Sequence, residues 1–508
     1  MLEASDSDSD SDSDSEMGPG IELKENFSNR YTRSVRPKPL GVATKLSQGL
    51  GAIPDTIKNW VFNTFALLFY NQILGMDPFM VSVALAIAMV FDALTDPMVG
   101  TLSDNLHTRW GRRHPLMLIA AVPLGISLFM VFAPPPGLAH SALFWWLTAF
   151  TVLTRGFMTL YFVPWAAIAA ELSDDYHERT SVMAYRYAVG WTIGVSFPVI
   201  TYTFFMTATP EFPVGQLNPA GYPAMGMLAG ILMVLGALST TLLTWKEIPY
   251  LRRHAGPVPG FSLLQILREL KSALQNPQFA LIFVILLLSG AITGTTLNIT
   301  IYMTTFFWGL SAEDLRWFAL SAVGAVAAFP VVAAIQRRWE KRSILLTCYT
   351  LAVADGIVLV NLRFLDLLPE NGQPALLVIL VTVGVLSASI AVVQGVIGAS
   401  IIADLTDEQE LRTGARQEGM FFAGVSFSGK AVSGLGTLMG GLVLSFIVFP
   451  TNLSPAEVPA DKIFQLGIVV GVLLPLLHFI PISLLLRYRI TRTRHAAIRA
   501  ELEVRRGK

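Results

Sequence analysis

Two aspartates, Asp92 and Asp96, lie four residues apart inside the apolar stretch FDALTDPMVGTLSDNLHTRWGRRHP, residues 91–115. On a helix that spacing puts both carboxylates on one face. An ionised carboxylate in hydrocarbon is expensive, and two side by side also repel. A chain that keeps the pair needs positive charge between them. That charge is either a bound cation or one shared proton. The pattern implies an ion-coupled carrier. The plainer structural reading is that the aspartates pair with Lys or Arg and tie helices together.

The elements that must hold such a pair are set by composition. Of 508 residues, 53% are hydrophobic and 14% charged, and the mean hydropathy is +0.56. Soluble domains carry roughly 25% charged residues, so the chain reads as an all-α, multi-pass membrane protein. A net charge of zero argues against nucleic-acid binding. One cysteine, Cys348, excludes a disulfide framework and a Cys-based metal site, and seven scattered histidines show no ligand spacing.

Twelve apolar runs are long enough to span, at ~20 residues each. They fall near 50–74, 79–103, 115–134, 143–171, 184–208, 221–245, 278–306, 316–336, 342–362, 374–402, 418–449 and 463–487. Loops on one side carry clusters such as Arg109, Arg112 and Arg113, or Arg337, Arg338, Lys341 and Arg342. On the other side, 71–78, 135–142 and 209–220 have no Lys or Arg, and the later loops have one each: Arg316, Arg363 and Lys462. The positive-inside bias therefore predicts cytoplasmic termini, an even span count agrees, and the plasma (cell inner) membrane is the expected location.

The chain divides into a polar N-terminal tail (1–45), a six-helix half (46–245), a central loop (246–277), a second six-helix half (278–487) and a C-terminal tail (488–508). Residues 5–16, SDSDSDSDSDSE, are low-complexity and expected to be disordered. They are a solvated tail or, alternatively, a regulatory one, and not a signal peptide. Residues 261–274, FSLLQILRELKSAL, have the spacing of an amphipathic surface helix. RWGRRHPLML after the second span and RRWEKRSILL after the eighth form a weak internal echo. A six-plus-six pseudo-repeat is the plan of secondary transporters, with sites near the midplane between halves.

These residues resemble the glycoside–pentoside–hexuronide:cation symporters of the major facilitator superfamily, the group of the melibiose permease. The resemblance runs from KLSQGLGAIPD (45–55) through the last spans. Its strongest segments are FDALTDPMVGTLSDNLHTRWGRRHP and IADLTDEQELRTGARQEGMFFAGVSFSGKAVSGLG, residues 402–436. The vertebrate sodium-dependent lysophospholipid carriers share the DALTDP-type segment. The resemblance implies a cation site at Asp92 and Asp96, with Thr95 between them and Thr159 supplying a hydroxyl. Oxygen ligands suit Na⁺ or Li⁺, and a shared proton is the alternative.

It further implies that Asp55 accepts hydrogen bonds from sugar hydroxyls. Lys58, three residues on, is a rival partner. The chain departs from the family at Phe162, which stands where a second sugar-binding carboxylate is expected. Phe162, Tyr161 and Trp165 would stack on a sugar face or line a greasier cavity; the plainer reading is that they pack between helices. Arg186 matches a family arginine that closes the inner gate or contacts substrate. Lys430 lies about 18 Å along a helix from Glu418, deep enough to need a carboxylate partner, and would couple the halves. Asp104, Arg109, Arg112 and Arg113 match the gating cluster. The resemblance leaves Arg155 without a role beyond neutralising a cavity carboxylate.

The expected function is a monomeric, cation-coupled (Na⁺ or H⁺) symporter of a sugar or glycoside, working by alternating access without a cofactor. A lysophospholipid or other amphipathic solute is the alternative, favoured by Phe162. A non-transporting scaffold or receptor is the alternative of another class. Enzymatic chemistry has no support, since the P-loop, GxSxG and HExxH motifs are missing.

Overall fold

A computed structural model describes residues 31–32, 39–173, 175–251, 253–254, 268, 271–272, 274–413 and 418–505. The Ser-Asp repeat, and 261–274 apart from four residues, lie outside these. The described chain is almost wholly helical. The first span is built from α1 (Val42–Leu50) and α2 (Ile53–Val61), which continues through two π-helical turns, Phe62–Ala66 and Phe69–Ile73. There follow α3 (Pro78–Asn105), α4 (His114–Phe132), α5 (His140–Glu171), α6 (Tyr176–Ile200) and α7 (Gly221–Leu243). The second set is α8 (Pro277–Tyr302), α9 (Ser321–Ile335), α10 (Lys341–Phe364), α11 (Pro374–Thr413), α12 (Glu418–Phe446) and α13 (Ala460–Ile468). A further helix, α14 (Arg492–Arg505), lies in the C-terminal tail.

Among the described residues, ten helices are long and apolar enough to cross a membrane. The broken α1–α2 run and α12 take the places of the expected first and eleventh spans. Local chemistry sets several ends. The Asp77 carboxylate accepts from the backbone N–H of Phe79 and Met80 and starts α3. Asp175 accepts from Glu178 N–H, so α6 begins ahead of the apolar run expected from residue 184. The α11 helix continues past the expected end at 402, where polar contacts replace lipid burial.

Helix α3 packs on α5, α4 on α5 and α7, α8 on α12, and α9 on α11, while α3 meets α12 across the two halves. Between α8 and α12 the backbones nearly touch: a Cβ on Gly436 would lie 2.6 Å from the Gly294 Cα. Only paired glycines allow that approach. The expected C-terminal tail is ordered as α14, whose Ile498 and Leu502 are buried. Their four-residue spacing gives it one apolar face.

Among the described residues, hydrogen bonds between the halves gather at the face opposite the termini. Tyr302 donates to Asn71 Oδ1 (2.9 Å) and Leu67 O (3.3 Å). Gln216 donates to Thr305 Oγ1 (3.0 Å) and Leu310 O (2.8 Å). Gln72 donates to Pro450 O (2.9 Å). Asn71, Gln216, Tyr302 and Thr305 are fully buried, so this far face is sealed.

Candidate functional site

Helices α3 and α5 bring together an oxygen cluster. The Thr159 hydroxyl lies 2.8 Å from Asp92 Oδ1 and 2.8 Å from Asp96 Oδ1. Thr159 is buried. Pro97, next to Asp96, cannot donate the backbone N–H that would reach the carbonyl one turn back. Thr95 turns away, its hydroxyl donating to the Asp92 carbonyl at 3.3 Å. The trio Asp92, Asp96 and Thr159 is therefore a hard-oxygen donor set, which suits a small monovalent cation or a proton. Among the described residues, no group of three or more His, Cys, Asp or Glu side chains could hold a metal ion; this trio differs in that its third donor is a hydroxyl.

The guanidinium of Arg155, one turn before Thr159 on α5, approaches the other oxygen of Asp92, with Nη1 3.5 Å from Oδ2. The sequence left this arginine without a specific partner. Its carbon also sits 5.9 Å from the Phe62 ring centroid on the first span.

The first span and α6 enclose the second part of the site. A cavity of about 660 Å³ is lined by Asp55, Thr56, Phe162, Trp165, Arg186 and Trp191, among others. Four of the five residues expected at the solute site thus face one space. Asp55 also meets its rival, since Lys58 Nζ is 3.2 Å from its carboxylate. The Arg186 guanidinium carbon stands 3.7 Å from the Trp165 ring centroid, a cation–π contact. Trp165 is locked by reciprocal bonds: its indole N–H donates to Gln48 O (3.0 Å) and Gln48 donates back to Trp165 O (2.9 Å). Tyr161 donates to Gly51 O and stacks on Trp165. A further cavity of about 450 Å³ shares Trp191 and Gly194 with the first and reaches Thr300 and Thr304 of the other half. Lys430 lies on α12, and its side chain is outside the described residues.

The gating charges form a tight group near the face that bears the termini. Arg112 and Arg113 both donate to Glu171 Oε1 at the end of α5. Both also face Asp104, with Arg113 at 3.2 Å and Arg112 at 3.5 Å. Arg109 stands apart, exposed, over the Trp110 ring at 5.1 Å. Glu171 was missed from the sequence. The signal was a second echo, IAAELSDD at 168–175 against IIADLTDE at 401–408, which equates Glu171 with Asp404. Asp404 plays the matching part: Lys341 Nζ is 2.6 Å away and His495 of α14 is 3.4 Å away.

Comparison with known proteins now decides the family. The profile described as MFS/sugar transport protein matches residues 47–492. The chain belongs to that family. It is a multi-pass integral membrane transporter of the major facilitator fold. A putative glycoside/cation symporter of Escherichia coli is 24% identical, covering 91% of this chain and 95% of the relative. A sodium-dependent lysophosphatidylcholine symporter of Danio rerio is 31% identical over 30% of this chain and 29% of that protein. Among solved structures, the inward-open xylose transporter XylE from E. coli superposes with a TM-score of 0.58 at 12% identity, covering 88% of this chain and 96% of that one. At that identity the likeness speaks for the fold alone.

Proposed function

We propose that this protein is a cation-coupled symporter that carries a sugar or glycoside by alternating access. The observation that carries the reading is the adjacency of two sites. An oxygen trio fit for a small cation lies on α3 and α5, and α5 also supplies Phe162 and Trp165 to the cavity holding Asp55 and Arg186. One helix therefore feels both ligands. Asp55 would accept from sugar hydroxyls, Trp165 would offer an apolar ring face, and Arg186 would donate to ring or anomeric oxygens. A relative named as a glycoside/cation symporter supports this solute class.

The gradient of the coupling ion, Na⁺ or H⁺, does the work. The far-face bonds of Asn71, Gln72 and Gln216 would form as the loaded carrier turns inward and break as the empty carrier returns. The charge groups around Glu171 and Asp404 hold helix ends within each half, so each half moves as a unit. The Lys and Arg bias of the loops supports cytoplasmic termini and a cell inner membrane, and the far face is then external. On this reading the working unit is a monomer in bilayer lipid.

A second reading has its own observation. Phe162 replaces a carboxylate in the cavity wall, and a lysophosphatidylcholine symporter matches part of the chain. An amphipathic lipid would suit that wall. Uptake into proteoliposomes of a panel of sugars, glycosides and lysolipids, with Na⁺ or pH gradients imposed separately, distinguishes the readings. Accumulation of a sugar that collapses in Asp92→Asn and Asp96→Asn supports the first. Lysolipid uptake without sugar uptake would overturn it, and no uptake of any solute would favour a scaffold or receptor.

A further inference from the structure

We propose that Arg155 is a tethered competitor for the coupling cation at Asp92, and so sets how tightly this carrier holds a metal ion. The inference rests on the reading that Asp92, Asp96 and Thr159 receive that ion. Arg155 and Thr159 are four residues apart on α5 and share a face. They address the two oxygens of one carboxylate: Thr159 meets Oδ1 at 2.8 Å, and Arg155 Nη1 meets Oδ2 at 3.5 Å. The same helix thus offers Asp92 a neutral ligand and a permanent positive charge. A guanidinium has no acceptor and keeps its proton at any working pH, so it cannot join the coordination shell. It can only neutralise the carboxylate in place of the ion, or repel an ion bound beside it.

The arginine is held loosely for so buried a group. At 3.5 Å its contact with Asp92 is longer than a charge-assisted hydrogen bond. Its Nε is buried with no hydrogen-bond partner among the described residues. It also lies against Phe62, one turn beyond Lys58 on the first span. An ion arriving at Asp92 would push the guanidinium off that carboxylate.

The test is Na⁺ and Li⁺ binding to the purified full chain without solute, read by intrinsic tryptophan fluorescence or calorimetry against choline chloride. Arg155→Gln should bind Na⁺ on the order of tenfold more tightly than the parent. Arg155→Lys, which keeps the charge, should stay near the parent. Adding Asp92→Asn to Arg155→Gln should remove the gain. Equal or weaker Na⁺ binding in Arg155→Gln would overturn the proposal, as would Arg155→Lys behaving like Arg155→Gln, or no Na⁺ binding in any variant. Should Arg155→Gln fail to fold by size-exclusion chromatography, Arg155→Met is scored the same way. Ion binding is measured without uptake, so failure here is distinct from failure to move a sugar.

Discussion

The Lys58 ammonium lies 3.2 Å from the Asp55 carboxylate, within one turn of the first span. The only carboxylate lining the described solute cavity is therefore already engaged before a solute arrives. On the proposed reading, a sugar hydroxyl would share Asp55 with Lys58 or displace it. Removing the carboxylate should cost the two roles unequally. Asp55→Asn is expected to lower solute affinity by roughly ten- to a hundredfold, the worth of a hydrogen bond to a charged group, while leaving Na⁺ binding in place. Lys58→Gln should change solute affinity far less. Equilibrium binding and uptake on the same preparations check both.

Thr159 contacts both aspartates through one hydroxyl. Thr159→Val keeps the shape but removes the shared oxygen, and it should weaken coupling-ion affinity by about 1–3 kcal/mol, the cost of stranding buried partners. Thr159→Ser should restore it. Ion-dependent uptake measured over a concentration series separates the two variants. Equal ion dependence in Val and Ser would remove Thr159 from the site.

On the far face, Tyr302 bridges the halves through its hydroxyl to Asn71. Tyr302→Phe deletes that bridge and leaves packing intact. A net hydrogen bond of about 1 kcal/mol corresponds to a several-fold shift toward the state open on that side. Labelling of Thr64→Cys, in the cavity of about 450 Å³, by an impermeant thiol reagent added from the far face should speed up by that factor.

Gly51 fits where nothing larger can, because a Cβ there would meet the Trp165 indole nitrogen at 2.0 Å. Its φ is ordinary, −65°, so the demand is for space and not for backbone freedom. Gly51→Ala should lower thermal stability by about 1–3 kcal/mol through overpacking and displace Trp165 from under Arg186. Reduced solute affinity with unchanged Na⁺ binding is the expected signature.

Charge pairing near the termini should be symmetrical. Glu171→Gln and Asp404→Asn each strand buried or partly buried cations. Each is expected to slow transport while leaving ion binding at Asp92 unaltered, and the double variant should exceed either alone. Transport rates for the two singles and the double test that pairing.

Lipid made the spans legible. An apolar run of about 20 residues has few other fates, and the expected ranges match the helices to within several residues wherever burial in lipid ends the run. They failed where polar contacts carry the helix onward. The α11 helix reaches Thr413 with Asp404 tied to Lys341 and His495, a partnership no hydropathy pattern contains. The same division holds at the site. Asp92 and Asp96 announce themselves because their spacing is local and their cost in lipid is high, and the Asp55–Lys58 pair is local too. Arg155 could be seen but not placed, because its partner lies on a different helix. Asn71 and Tyr302 are uncharged and 231 positions apart, and nothing in either one's neighbourhood points to the other.

The π-helical turns carry a consequence for how such a chain can change. Segments 62–66 and 69–73 of the first span, 201–205 after α6 and 303–307 after α8 each hold an extra residue per turn, and all approach the sealed face. Asn71 lies beyond the turn at 62–66, so that turn sets the direction in which Asn71 meets Tyr302. A one-residue deletion inside 62–66 would leave composition, hydropathy and span length almost untouched, yet turn Asn71 by about 100° away from Tyr302. The seal is thus written in chain length as much as in residue identity, so insertions and deletions at these turns are a route by which transporters of this architecture would alter the gate on that face while every binding residue stayed in place.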